Sequence, residues 1–83
     1  MSDEEFDLLD ELYFVQPYTS LVETLGWQDE KLILTLSSLH EKGWIKCFFG
    51  PDQECFDPIN LEVEGKNLLY LATKKGLIAH TSC

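Results

Sequence analysis

The stretch Leu36-Ser37-Ser38-Leu39-His40-Glu41-Lys42-Gly43-Trp44-Ile45 contains the change of period that decides the fold. Leu32, Leu36 and Leu39 recur four and three residues apart, the apolar stripe of a helix running from about Asp29 to Lys42. Gly43 closes that helix. From Trp44 to Phe49 the chain is aromatic and β-branched, the composition of a strand. Gly50-Pro51-Asp52-Gln53 then reads as a turn, because proline presets one turn dihedral and glycine relaxes another.

Toward the N-terminus, Ser2 and Glu5 have the spacing of a capping box, with acids in the first turn where the helix dipole favours them. Phe6, Leu9 and Tyr13, flanked by Leu8, Leu12 and Val15, give this first helix a broad apolar stripe that Pro17 ends. Ser20 and Glu23 repeat the capping spacing and predict a short helix over about Leu21 to Leu25, stopped by Gly26. Toward the C-terminus, Ile59-Asn60-Leu61-Glu62-Val63 alternates as a strand does, and Glu64-Gly65-Lys66-Asn67 is a turn before a second apolar run, Leu68 to Ala72. Thr73 is placed to cap a short last helix through Ala79, with a hairpin turn at Lys75-Gly76 as the alternative. The whole is an α+β chain of one domain, residues 1–83: three N-terminal helices, a β-hairpin and a short C-terminal element.

Length and charge narrow the function. A chain of 83 residues buries only about 60–65% of its unfolded surface, which excludes two domains and argues against a large substrate cleft. The apolar runs fall far short of a membrane span, and the acidic start (Asp3, Glu4, Glu5) is the reverse of a secretory signal, so the sequence reads as a soluble, cytoplasmic protein with no membrane partner. Six Lys and no Arg stand against fifteen Asp plus Glu, for a net charge of -9. Residues 1–30 hold nine of the acids and no base, while acids and lysines balance in the remainder. An acidic field of that kind repels nucleic acid and anionic lipid.

No motif points to catalysis. Nucleophile elbow, phosphate-cradling glycine loop and HExxH are all lacking, and His40 and Cys47 have no identifiable third group to orient the imidazole. Cys47, Cys55 and Cys83 include no CxxC pair, so zinc would need an accidental convergence with His40 and His80; structural thiols are the reading. Cys47 and Cys55 face each other if the hairpin forms as predicted, which would permit oxidation in vitro. The sequence therefore assigns no catalytic residue, no metal ligand and no cofactor.

Two short helices joined through Gly26, followed at once by a strand and a turn-rich hairpin, resemble the winged-helix form of the helix-turn-helix. The stretch Leu36 to Ile45 is similar to the "leucine, two residues, leucine, three residues, glycine, apolar, isoleucine" ending of the recognition helix in winged-helix transcription regulators of the MarR-like and PadR-like kind. Tyr70-Leu71-Ala72-Thr73-Lys74-Lys75-Gly76 resembles their return from the wing into a last helix. These are packing motifs, so they speak for fold more than for function. The resemblance implies that the third helix lies in the DNA major groove with the wing on phosphate. With Leu32, Leu36 and Leu39 facing the core, the opposite side presents Glu30, Lys31, Leu34, Ser37, Ser38 and Glu41. That face departs from the family: it has no Arg for guanine, no Asn or Gln for adenine, and two acids. The expected wing carries Asp52, Glu54, Asp57, Glu62 and Glu64 against Lys66 alone.

The reading favoured is a regulatory protein–protein contact module of transcription-regulator ancestry, with Lys31, Leu34, Ser37, Ser38 and Glu41 as the partner face. The alternative is a small DNA-binding regulator acting as a dimer or with a partner. Leu34 is equally readable as an ordinary exposed leucine, Trp27 and Trp44 as core, and His40 as a partly buried, satisfied imidazole. The apolar surplus of the first helix, with dimerisation through terminal helices implied by the MarR-like resemblance, predicts self-association through Phe6, Leu9 and Tyr13.

Overall fold

The first helix starts as the capping box dictates. In the computed structural model, which describes residues 1–50, 53–54 and 61–82, helix α1 spans Asp3–Asp10. Ser2 Oγ accepts from the Glu5 amide at 3.1 Å, and Glu5 Oε1 accepts from the Ser2 amide at 3.0 Å. Helix α1 is shorter than its apolar stripe predicts. Glu11 and Leu12 donate to carbonyls three residues back, tightening the last turn, and the Leu12 carbonyl accepts from the Ala72 amide at 2.9 Å. A residue before proline disfavours helical backbone, and Gln16–Pro17 form strand β1 instead.

Helix α2 spans Tyr18–Leu25 with Pro17 at its N-cap and no side-chain cap, so the expected Ser20–Glu23 capping box is not formed; Ser20 lies inside the helix. The rigid proline φ begins the helix one turn early. Gly26 ends it at φ 67°, a conformation that costs other residues steric energy. Helix α3, Asp29–Glu41, fully buries Leu32, Leu36 and Leu39 as the spacing predicts. Ile33 and Thr35 are buried as well, Thr35 because its hydroxyl donates to the Lys31 carbonyl at 2.8 Å.

Strand β2, Ile45–Gly50, turns Ile45 and Cys47 into the core, and it pairs antiparallel with β3, Gln53–Glu54. A register shift between Phe48 and Gly50 breaks the alternation beside the exposed Phe49. Strand β4, Leu69–Ala72, lies between β1 and β2 in a four-stranded antiparallel sheet of order β1-β4-β2-β3.

The strand expected over Ile59–Val63 is corrected at its described end. Leu61–Glu64 form a helical turn, α4, followed by a 3-10 turn at Gly65–Asn67. Both edges of β4 are already taken by β1 and β2, so a further strand finds no partner there. Leu61 is buried instead. Cys55, and with it the expected approach to Cys47, lies outside the described residues, as do Pro51, Asp52, Asp57, Ile59 and Asn60.

The last element is helix α5, Lys74–Thr81, not a hairpin. Thr73 caps it by accepting from the Gly76 amide at 3.1 Å. The Thr73 hydroxyl and amide also donate to the carbonyls of Gly43 and Trp44, at 2.7 and 2.9 Å. The start of α5 is thus pinned to the chain as it leaves α3. Trp27 and Trp44 are partly buried against the core, as expected.

Candidate interaction surface

The outward side of α3 and the N-terminus of α1 form one surface, joined through Glu5. The capping box points the Glu5 side chain inward, where it is only 9% exposed. Its Oε2 accepts from Lys42 Nζ at 2.6 Å and from Ser38 Oγ at 3.0 Å. Burial alone raises the pKa of this carboxyl. The Lys42 hydrogen bond, the Ser2 amide, the Ser38 hydroxyl and the Lys42 charge outweigh it and hold the value down to about 2. Glu5 is therefore a charged, fully partnered strut between α1 and α3.

Beside this strut lies an open groove of about 470 Å³, between Glu4 on α1 and Glu30 and Leu34 on α3. On the far side of Leu34 a second groove of about 300 Å³ runs between α3 and Lys66. There Asp29 accepts from the Tyr18 hydroxyl at 2.7 Å and pairs with Lys66 at 3.1 Å. The hydroxyl and the ammonium lower the Asp29 pKa, while burial and the same carboxylate raise that of Tyr18.

The sequence-derived partner face is partly gathered here. Lys31, Leu34 and Ser38 line the first groove; Ser37 and Glu41 do not. Leu34 is 59% exposed. Ser38 is half-buried and its hydroxyl is committed to Glu5, so a free contact role for Ser38 is corrected by that bond. Glu4 and Glu5 are the residues sequence reasoning missed. The capping box fixes how Glu5 turns, but nothing local indicates that Lys42 meets it from 37 positions away.

Lysines on this surface are largely committed. Lys42 pairs with Glu5, Lys66 with Asp29, and on the sheet Lys46 with Glu54 at 3.4 Å. Lys31 sits 4.5 Å above the Trp27 ring. No salt bridge to Lys74 or Lys75 is found among the described residues.

The proposed dimer residues fall elsewhere. Leu9 is wholly buried in the core and cannot contact a second copy, a correction to its place beside Phe6 and Tyr13. Tyr13 lies beyond the end of α1. Phe6 stacks on His80 of α5 with ring centroids 4.1 Å apart, and the Tyr13 hydroxyl lies 2.8 Å from His80 Nδ1. Asp10 approaches Nε2 at 3.5 Å. The group fastens α5 to α1, leaving Phe6 and Tyr13 37% and 44% exposed. His40 is half-buried at the end of α3.

Among the described residues no three His, Cys, Asp or Glu side chains gather to hold a metal, and no helix is long and apolar enough to cross a membrane. No family model, no curated protein and no solved structure matches this chain.

Proposed function

We propose that the chain is a non-enzymatic winged-helix module, a regulatory protein–protein contact domain of the MarR-like and PadR-like type, with the outward side of α3 as its contact face. The element order supports the winged-helix reading: three helices with β1 between the first two, α2 and α3 joined through Gly26, then β2 with β4 returning beside it and β1 closing the far edge. One observation carries the choice of a protein partner over DNA. The α3 face presents an exposed leucine between acids, and half the chain's lysines are already neutralised by Glu5, Glu54 and Asp29.

DNA affinity comes largely from counterions released as cations meet phosphates, with log K falling by about 0.9 per phosphate for each decade of salt. Among the described residues Lys31, Lys74 and Lys75 stand outside any salt bridge, which limits the slope to about −3 per monomer. Fluorescence anisotropy with a mixed-sequence duplex at low and physiological salt measures both quantities. The expected result is a Kd weaker than about 10 μM at physiological salt, with that shallow slope. Submicromolar binding with a steep slope would replace this function by the DNA-binding one, with a dimer or partner supplying the missing cations.

A further inference from the structure

Leu34 stands on a ridge between two depressions. Glu30 and Leu34, one turn apart on α3, line both the groove of about 470 Å³ toward α1 and the groove of about 300 Å³ toward Lys66. A single exposed leucine is ordinary. One flanked by concavities on both sides gives an incoming apolar side chain somewhere to sit while it covers the leucine.

Charge around that ridge is acidic in balance once salt bridges are set aside, with Glu4 and Glu30 against Lys31. Glu4 and Glu30 are exposed and take part in no salt bridge among the described residues. Of the cations nearby, Lys42 pairs with Glu5 and Lys66 with Asp29, while Lys31 rests on the face of Trp27 and keeps its charge. An anionic occupant that reaches Lys31 also meets Glu4 and Glu30 in the same groove. A cationic one meets two open carboxylates beside an apolar anchor.

We infer that this ridge and its grooves dock a lysine- or arginine-rich amphipathic segment of a partner protein, with an apolar side chain against Leu34 and cations on Glu4 and Glu30. The assignment rests on the protein-contact reading above and gives the partner its chemistry. A second copy of this chain fits less well. Its first 30 residues hold nine acids and no base, and among the described residues the lysines outside any salt bridge are Lys31, on the ridge itself, with Lys74 and Lys75. Two copies brought together this way repel through those acidic N-terminal segments. A small polyamine lacks the apolar group that Leu34 calls for.

The probe is a peptide of about 14 residues, four helical turns, with leucines along one face and lysines elsewhere. Two analogues accompany it, one with each lysine replaced by glutamine and one with each leucine replaced by serine. Binding to the full chain is read by calorimetry, at low and at physiological salt. The lysine–leucine peptide is expected to bind in the tens of micromolar, and each analogue about tenfold more weakly. Leu34→Asp, and separately the pair Glu4→Lys and Glu30→Lys, should each weaken binding about tenfold. All three positions are exposed, and circular dichroism verifies that the variants keep their fold. Lys74→Glu with Lys75→Glu should change affinity by less than about twofold, since neither lysine lines either groove and exposed charges are screened by salt.

Indifference to Leu34→Asp, or equal affinity for the leucine-free analogue, overturns the docking site. A chain that doubles its mass with concentration, and stops doing so in Leu34→Asp, assigns the groove to a second copy and overturns the foreign segment. The duplex titration separates the two levels. Tight, salt-steep DNA binding overturns the protein-contact reading itself, whereas weak DNA binding with indifferent peptides overturns only this docking assignment.

Discussion

Replacing Gly76 by alanine is expected to lower the unfolding free energy by about 3 kcal/mol or more, a loss at the upper end of what overpacking does. A Cβ at position 76 would lie 2.0 Å from the Trp44 carbonyl oxygen and 2.9 Å from its carbon. Those are backbone atoms, so no side-chain rotation relieves the overlap. Alanine gains about 1 kcal/mol in helix propensity, too little to offset it. The collision sits where α5 is pinned, because the same Trp44 carbonyl accepts from the Thr73 amide. For a domain of this size each kcal/mol moves Tm by about 4–8 °C, so calorimetry should show a fall of roughly 12–24 °C. Gly26→Ala provides the contrast. It meets no atom within 4 Å and suffers only its left-handed φ of 67°, which costs about 1 kcal/mol. Equal losses for the two variants would mean that α5 does not pack backbone to backbone on Trp44.

The second large effect belongs to Glu5→Gln. The folded-state pKa of Glu5, about 2, lies below its ordinary 4.5, so the charged form is stabilised by folding. That contribution is complete above pH 4.5 and disappears as pH falls toward 2. A shift of this size corresponds to about 3 kcal/mol at most. Lys42 is 40% exposed and recovers hydration when its partner goes, which brings the expected loss nearer 2 kcal/mol. Denaturant unfolding at a series of pH values should show glutamine costing about 2 kcal/mol at pH 7 and almost nothing at pH 2. Comparing the two proteins cancels the remaining acids, whose mutual repulsion eases as they protonate. A pH-independent difference would mean that Glu5 acts by packing rather than by charge.

The legible part of this chain is its local part. Leu32, Leu36 and Leu39 announce their helix and their buried side because period and core coincide over several turns. Ser2 with Glu5 and Thr73 announce helix starts because a cap is a contact of three residues. The alternation that ends in Leu61-Glu62-Val63 misleads at those described residues, which form a helical turn, because a strand depends on a free neighbouring edge and both edges of β4 are taken. Leu9 is misplaced for a related reason. An apolar stripe too broad for one contact says nothing about which part α3 and the sheet cover and which α5 covers. On the candidate surface, helix angle alone singles out Lys31 and Leu34. Ser38 is lost to Glu5 through a meeting of elements 33 residues apart, and Glu4 enters the groove the same way. Such meetings are tertiary and leave no mark in local spacing.

Whether the outward side of α3 receives a cationic protein segment rather than nucleic acid is decided by amide shift mapping at physiological salt. Labelled protein is titrated with the lysine–leucine peptide and, separately, with duplex DNA. Saturable peptide-induced shifts are expected at residues 2–5 and 28–38, with little movement at Lys74–Thr81 and only weak, non-saturating changes with DNA. Saturating DNA-induced shifts along α3, or peptide-induced shifts confined to α5 and the Tyr13–Val15 segment, would rule out a protein-segment site on α3.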